Sequence, residues 1–144
     1  MTIDTSMVRF ATESDIAGIQ ELINANLDKV LPRTDEEIRE LLPTWWVIED
    51  GGEIAGTCCL EIYSKKIAEI RTLVVRDGYR GQGYGAALVA VSTAEASRKG
   101  IQQVFVVTST PEFFEGLNFG PALGEKYALF WKGKGSVSNG NHTG

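Results

Sequence analysis

The run Arg80-Gly81-Gln82-Gly83-Tyr84-Gly85 stands between an apolar strand end, Leu73-Val74-Val75, and a segment of helical period that begins at Gly83. Three glycines in five positions let the backbone take positive φ and approach a ligand closely. A helix start adds unpaired N–H groups and a partial positive charge aimed at that ligand. A diphosphate is the natural occupant, and Arg80 can add a charge-assisted contact.

Other readings of the run differ in what they require elsewhere. Gly81-x-Gly83-x-x-Ala86 also fits the dinucleotide fingerprint, whose fold supplies an acidic residue for a ribose on the next strand. The strand ending at Val107-Thr108 carries none, and too little chain follows for a doubly wound sheet. A turn that simply needs glycine is the plain structural alternative. A P-loop is excluded, because no Gly-Lys-Ser/Thr triplet exists.

Periodicity places this unit in a wider order. Residues 7–10 alternate as a short strand. Thr12 with Asp15 reads as a capping box, followed by Ile16, Ile19, Ile23 and Leu27 at helical spacing. Thr34 with Glu37 opens a second, short helix that Pro43 ends. Residues 45–49, 53–63 and 67–76 read as three antiparallel strands, the first two joined by Asp50-Gly51-Gly52. From Gly83 to Lys99 the apolar positions Ala87, Leu88, Val91 and Ala94 indicate a helix that stops at Gly100. Residues 103–107 read as a strand buried on both faces, 111–117 as a short helix, and 126–131 as a last strand. A lone crossover helix between Val75 and Gln103 implies one parallel pair in a mixed, mostly antiparallel sheet, an α/β (α+β) class. The expected domain covers residues 1–132, and the Gly/Ser/Asn-rich residues 133–144 read as a flexible polar tail.

Length and composition narrow the partners. The chain's 144 residues suit one domain, and 43% apolar residues are enough for a core. A net charge of −5 without a basic run argues against nucleic acid. No membrane-length apolar run or signal peptide is visible, so a cytoplasmic address and no membrane partner are expected. The two cysteines, Cys58 and Cys59, are adjacent on one strand and point to opposite faces, so they read as free thiols. No metal-ligand spacing exists, and His142 is the only histidine. Trp45, Trp46 and Trp131 read as packing residues in a core or interface rather than as cleft lining. A homodimer is compatible with the sequence.

The Arg-x-x-Gly-x-Gly/Ala pattern at residues 80–85, directly after Leu73-Val74-Val75, resembles the acyl-CoA signature of the GNAT superfamily of N-acetyltransferases. The element order fits that family to Trp131. Ala68-Glu69-Ile70-Arg71-Thr72-Leu73, and Val104-Phe105-Val106-Val107-Thr108 followed by Pro111-Glu112-Phe113-Phe114, resemble its amino-acid N-acetyltransferase branch, typified by N-acetylglutamate synthase. The resemblance implies a GNAT-like fold with helices on both sheet faces. It also implies acetyl-CoA as co-substrate and a small-molecule amine as acceptor.

The same resemblance implies roles for residues. The pantetheine pairs with the backbone of Leu73, Val74 and Val75. The pyrophosphate lies on the amides of Gly81, Gln82, Gly83, Tyr84, Gly85 and Ala86, beside Arg80. The Val75 N–H polarises the acetyl carbonyl as it becomes an oxyanion. Direct attack needs a neutral amine, so a base must take a proton. Glu69 is the first candidate, and period-two counting puts it on the face of Leu73 and Val75. Its structural alternative is a surface ion pair with Arg71, and Glu61 is the reserve carboxylate. Many relatives protonate the leaving thiolate with a tyrosine where this chain has Phe114, so Phe114 is expected to pack against the cofactor. Ser109, Thr110 or water is then left to supply the proton. Arg33, Lys66 and Arg71 are candidates for binding an acceptor carboxylate. Thr108-Ser109-Thr110 lacks the arginine the synthase branch shows there, so a glutamate-like pose loses one anchor. Two other functions fit the same signature. One is acetylation of a protein N-terminus or lysine, and the other is CoA binding without catalysis.

Overall fold

Alternating apolar residues and short polar turns produce the expected meander. β1 (Val8–Phe10), β2 (Trp45–Asp50), β3 (Glu53–Ile62) and β4 (Ile67–Val75) pair antiparallel in that order. β5 (Gln103–Phe105) joins β4 in parallel, the one parallel pair among the described strands. The structure is a computed structural model that describes residues 2–121 together with Leu129 and Trp131. The expected last strand at 126–131, those two residues apart, and the expected tail at 133–144 lie outside the described residues.

Helices cover both faces of the sheet. α1 (Ile16–Asn24) and α2 (Asp35–Leu41) lie on one side and bury Ile19, Leu22, Ile23 and Ile38 against Trp45 and Val47. α3 (Tyr84–Arg98) lies on the other side, where Leu88 and Val89 meet Trp46, Ile48, Leu60 and Ile70. The short α4 (Pro111–Glu115) adds Phe114 to this second cluster. Each large apolar side chain so buried contributes ~1.5–3 kcal/mol. Trp45 and Trp46 are both core residues, and Trp131 is exposed. Cys58 and Cys59 belong to opposite clusters, and neither forms a disulfide.

Both capping boxes form. Thr34 N–H donates to Glu37 at 2.7 Å, and Glu37 N–H donates to the Thr34 hydroxyl at 3.1 Å. The first box is more than a cap. The Asp15 carboxylate accepts from Thr12 N–H at 2.7 Å and from both terminal nitrogens of Arg9 at 2.8 and 2.9 Å. Arg9 is the main cause that holds the Asp15 carboxyl below the ordinary aspartate range. A group with a depressed folded pKa stabilises above its unfolded pKa of ~3.9, and the benefit is lost as pH falls below that value. Asp15→Ala is therefore expected to cost about 2 kcal/mol at pH 7. In urea denaturation its gap from the parent should shrink steadily below pH 4.

Four sequence expectations change. α1 ends at Asn24, Leu27 is exposed, and Leu22 takes the buried place. The cause is Asn26, which is buried and donates from Nδ2 to the Leu22 carbonyl at 2.9 Å, closing the helix a turn early. In α3 the buried row is Leu88, Ser92 and Ala96 rather than one through Ala94, which is exposed. Ser92 tolerates burial because its hydroxyl meets the Leu88 carbonyl at 2.9 Å and the Cys58 thiol at 3.1 Å. β5 is not a strand buried on both faces. It is short, it forms the sheet's edge among the described residues, and Val107 beyond it is exposed.

The fourth change concerns β4. Cys59 pairs with Arg71 but Thr57 pairs with Val74, so β4 carries one residue more than β3 at this point. Thr72 takes the bulge, with φ 55. The bulge reverses the alternation. Leu73 stays with the α3 cluster, and Val75 approaches Gly56 and Gly85 on that side. Glu69 lies between Ala68 and Ile70 of the α3 cluster and so faces the opposite side, with Val74. Period-two counting had placed Glu69 with Leu73 and Val75; the extra residue makes that face assignment wrong.

Candidate active site

The site begins where two strands part. β5 pairs with β4 only at Ile67–Gln103, Ala68–Val104 and Glu69–Phe105, while β4 continues to Val75 along β3. Beyond Glu69 the β5-side edge of β4 has no strand partner among the described residues. An extended ligand can pair with that edge as a strand would. The gap holds a cavity of about 640 Å³. Residues 69–73 of β4 form one wall, and residues 106–110 with Phe113 and Phe114 form the other. Residues 28–31, from the α1–α2 connection, close its end.

The glycine-rich loop lies at the far end of the same strand. Gly83 is the N-cap of α3 at φ 84, and no side chain caps the helix. The first intrahelical bond runs from Ala87 N–H to the Gly83 carbonyl at 3.0 Å. The amides of Tyr84, Gly85 and Ala86 precede it and are open for an anion. Gly85 meets another need: a Cβ there would come within 3.3 Å of the Phe113 ring, so the glycine lets α4 close against the start of α3. Arg80 turns back toward the strand, donating from Nε to the Val75 carbonyl at 3.2 Å and meeting Asp77 at 3.1 Å.

Two tyrosines fasten this loop to the β2–β3 hairpin. Tyr84 donates its hydroxyl to Asp50 at 2.5 Å, and Tyr79 donates to Glu53 at 3.0 Å. Their rings stack at 6.3 Å. If the clamp preorganises the amides, Tyr84→Phe raises the dissociation constant for CoA about fivefold, the worth of ~1 kcal/mol. Calorimetric titration measures this, and thermal stability should stay nearly unchanged.

Acids and bases alternate along the sheet face at the cavity's closed end. Glu69 is largely buried, and its Oε1 accepts from the Tyr63 hydroxyl at 2.6 Å. Arg71 Nε lies 4.0 Å from Glu69, whereas Arg71 Nη1 donates to Glu61 at 3.0 Å. The tight ion pair of this face is therefore Arg71–Glu61, and the Arg71–Glu69 contact is looser. Burial opposes the charge on Arg71, but the bond to Glu61 and the nearby carboxylates outweigh it and raise its pKa. Arg33 is 8% exposed; its Nε donates to the Thr72 hydroxyl at 2.9 Å and its guanidinium lies 5.4 Å from the Trp45 ring centre. A second nitrogen reaches Glu61 at 4.0 Å.

The structure brings Glu69, Arg71, Leu73 and Phe114 to one cavity, with Ser109 and Thr110 on the facing wall. Arg33 stands behind Thr72 rather than in the lining. Lys66 is exposed in the β3–β4 turn and outside the lining. Phe114 is buried edge-on to Phe113 at 4.9 Å and to Phe119 at 5.4 Å, so it supports the wall. Burial pushes the thiols of Cys58 and Cys59 up to about 12, so neither supplies a thiolate at neutral pH. Among the described residues no cluster of three or more His, Cys, Asp or Glu could hold a metal ion, and no helix is long and apolar enough to cross a membrane.

Sequence reasoning missed several of these residues. Asp28 and Lys29 lie where the helical pattern fades, which gave no sign that they face a cavity. Thr72 gave no signal either, because a β-branched residue is among the last expected at positive φ. The Tyr63–Glu69 bond was findable: with Ile62 opposite Ala68 across a short turn, Tyr63 falls diagonal to Glu69.

A parallel pair that opens beside a helix with uncapped amides, over a largely buried carboxylate, is the arrangement that an acyl-CoA-dependent acyltransferase needs. The family model described as Acetyltransferase (GNAT) family matches residues 16–119, and the chain belongs to that family. It is 32% identical over 114 residues to an uncharacterized N-acetyltransferase of Chlorobaculum tepidum, covering 78% of this chain and 74% of that protein. It is 31% identical over 112 residues to an amino-acid acetyltransferase of Mycobacterium tuberculosis, covering 75% of this chain and 64% of that one. N-acetylglutamate synthase from Neisseria gonorrhoeae, solved with coenzyme A and N-acetyl-glutamate, superposes with a TM-score of 0.71 at 26% identity. That match covers 76% of this chain and only 27% of the Neisseria chain.

Proposed function

We propose that this chain transfers the acetyl group of acetyl-CoA directly to the amine of an amino acid, with both substrates bound at once. The observation that carries the reading is the edge of β4 left without a strand partner beyond Glu69 among the described residues. The cavity borders that edge at residues 69–73, and the strand runs on to Val75, ahead of the loop that carries the open amides of α3. The pyrophosphate lies on the amides of residues 81–86 with Arg80 beside it, and the pantetheine pairs with the backbone of Leu73, Val74 and Val75. The Val75 N–H then faces the thioester carbonyl oxygen. Glu69 takes a proton from the ammonium, directly or through water. The neutral amine attacks the carbonyl carbon, the C–S bond breaks, and the nitrogen's surplus proton passes to the departing CoA thiolate, relayed by water or by the hydroxyl of Ser109 or Thr110. The buried thiols of Cys58 and Cys59 favour this route over a covalent acetyl-cysteine.

Charge on the acceptor face favours one carboxylate. Arg33 and Arg71 share Glu61, and Arg71 also lies 4.0 Å from Glu69, so this cluster holds no surplus positive charge for a second acid on the acceptor. Residues 108–110 offer hydroxyls but no cation for a second acid. Neutral or hydroxylated side chains, glutamine among them, are therefore preferred to glutamate.

The test is free-thiol release from acetyl-CoA with a panel of amino acids, polyamines and N-terminal peptides. Turnover led by amino acids with one carboxylate is expected. Silence across the amino acids, or stronger turnover with peptides, contradicts the proposal.

A further inference from the structure

We infer that Tyr63 is a positioning residue for the Glu69 carboxylate, holding Oε1 so that Oε2 is presented for the amine's proton. This rests on the reading of Glu69 as the base. Three adjacent strands meet at the point where the cavity begins, each giving one residue: Tyr63 just after β3, Glu69 on β4 and Phe105 on β5. The Tyr63 hydroxyl lies 2.6 Å from Oε1. Its ring stacks on Phe105 with centres 6.2 Å apart, and its backbone N–H donates to the Ile67 carbonyl at 3.1 Å. The donor is thus itself fixed by Glu69's own strand and by β5 beside it. No other hydrogen bond reaches either Glu69 oxygen among the described residues. Without Tyr63 the carboxylate rotates freely, and poor placement of a reacting group costs up to ~100-fold in rate.

The same contact keeps Tyr63 protonated. Partial desolvation and the bond to Glu69 push the Tyr63 hydroxyl up to about 12, so it stays a donor through the working pH range. The other charged groups facing this point are Glu61 on β3, Arg71 on β4, Arg33, Asp28 and Lys29 from the α1–α2 connection, and Glu37 at the start of α2. β5 contributes only the phenyl ring of Phe105.

The test compares the full chain, Y63F, E69Q and the double variant, using acetyl-CoA and the best amino-acid acceptor of the panel. Y63F keeps the ring stack and is expected to lower kcat about five- to tenfold with KM for acetyl-CoA unchanged. Y63F added to E69Q should cause no further loss, as expected when Tyr63 acts through Glu69. Tyrosine ring NMR, independent of turnover, should show Tyr63 beginning to titrate at lower pH in E69Q. An unchanged kcat in Y63F, or a Y63F loss that persists in E69Q, overturns the inference while leaving Glu69 as the base. Turnover by E69Q equal to the parent, or none with any amine, removes the base itself and this inference with it.

Discussion

Glu69→Gln is expected to lower kcat for amine acetylation by about 10²–10³, within the range that general-base catalysis supplies. The substitution keeps size and shape, and the new amide oxygen can still accept from the Tyr63 hydroxyl. Fold and donor binding should therefore survive, with KM for acetyl-CoA within twofold of the parent. The residual rate should climb with pH, because an amine that deprotonates unaided no longer needs the base. Initial rates between pH 6 and 9.5 check both points. The reserve carboxylate makes the opposite prediction. Glu61 is held by Arg71 at 3.0 Å and approached by Arg33 at 4.0 Å, so Glu61→Gln removes the carboxylate that the two guanidinium groups share. That variant should alter acceptor KM more than kcat.

The second large effect lies at the donor end. Gly83→Asp is expected to weaken CoA binding about a hundredfold, or ~2.7 kcal/mol, while changing stability by no more than ~1 kcal/mol. The position has φ 84 and open space where a Cβ would go. Aspartate is among the few residues that tolerate positive φ, and its charge suits a helix N-terminus. The same carboxylate occupies the place of the pyrophosphate and repels it. Gly83→Ala separates the two effects: it carries the backbone strain without the charge. Alanine should cost stability and bind CoA better than aspartate does. If the two bind CoA equally poorly, backbone strain rather than anion recognition explains the loss.

These two ends of the site differ in how far the sequence reveals them. The donor end is built from backbone: a strand, a glycine loop and a helix start. Such a unit has a short local signature, so residues 73–86 could be read without any contact in view. The capping boxes at Thr12 and Thr34 were legible for the same reason. The acceptor end depends on register. One extra residue at Thr72 turns Glu69 and Arg71 away from the face that alternation assigns them, and no residue type announces the bulge. Arg33 was visible as a cation in a connection, but not as the guanidinium that holds the Thr72 hydroxyl at 2.9 Å. The edge character of β5 was hidden too, because an apolar run reads as a buried strand whether a neighbouring strand or a ligand cavity lies beside it.

Direct transfer from acetyl-CoA to an amino acid is tested most directly by mass spectrometry of both protein and products. The full chain is incubated with acetyl-CoA and a ¹⁵N-labelled amino acid that carries one carboxylate. The predicted result is ¹⁵N-acetyl amino acid in equal amount to the CoA released, strongly reduced by Gly83→Asp and by Glu69→Gln, with no acetyl group on the chain. Acetylated protein that forms before the acceptor is added and then passes its group on would contradict direct transfer. CoA binding with no acetylated amino acid at all would contradict the catalytic reading itself.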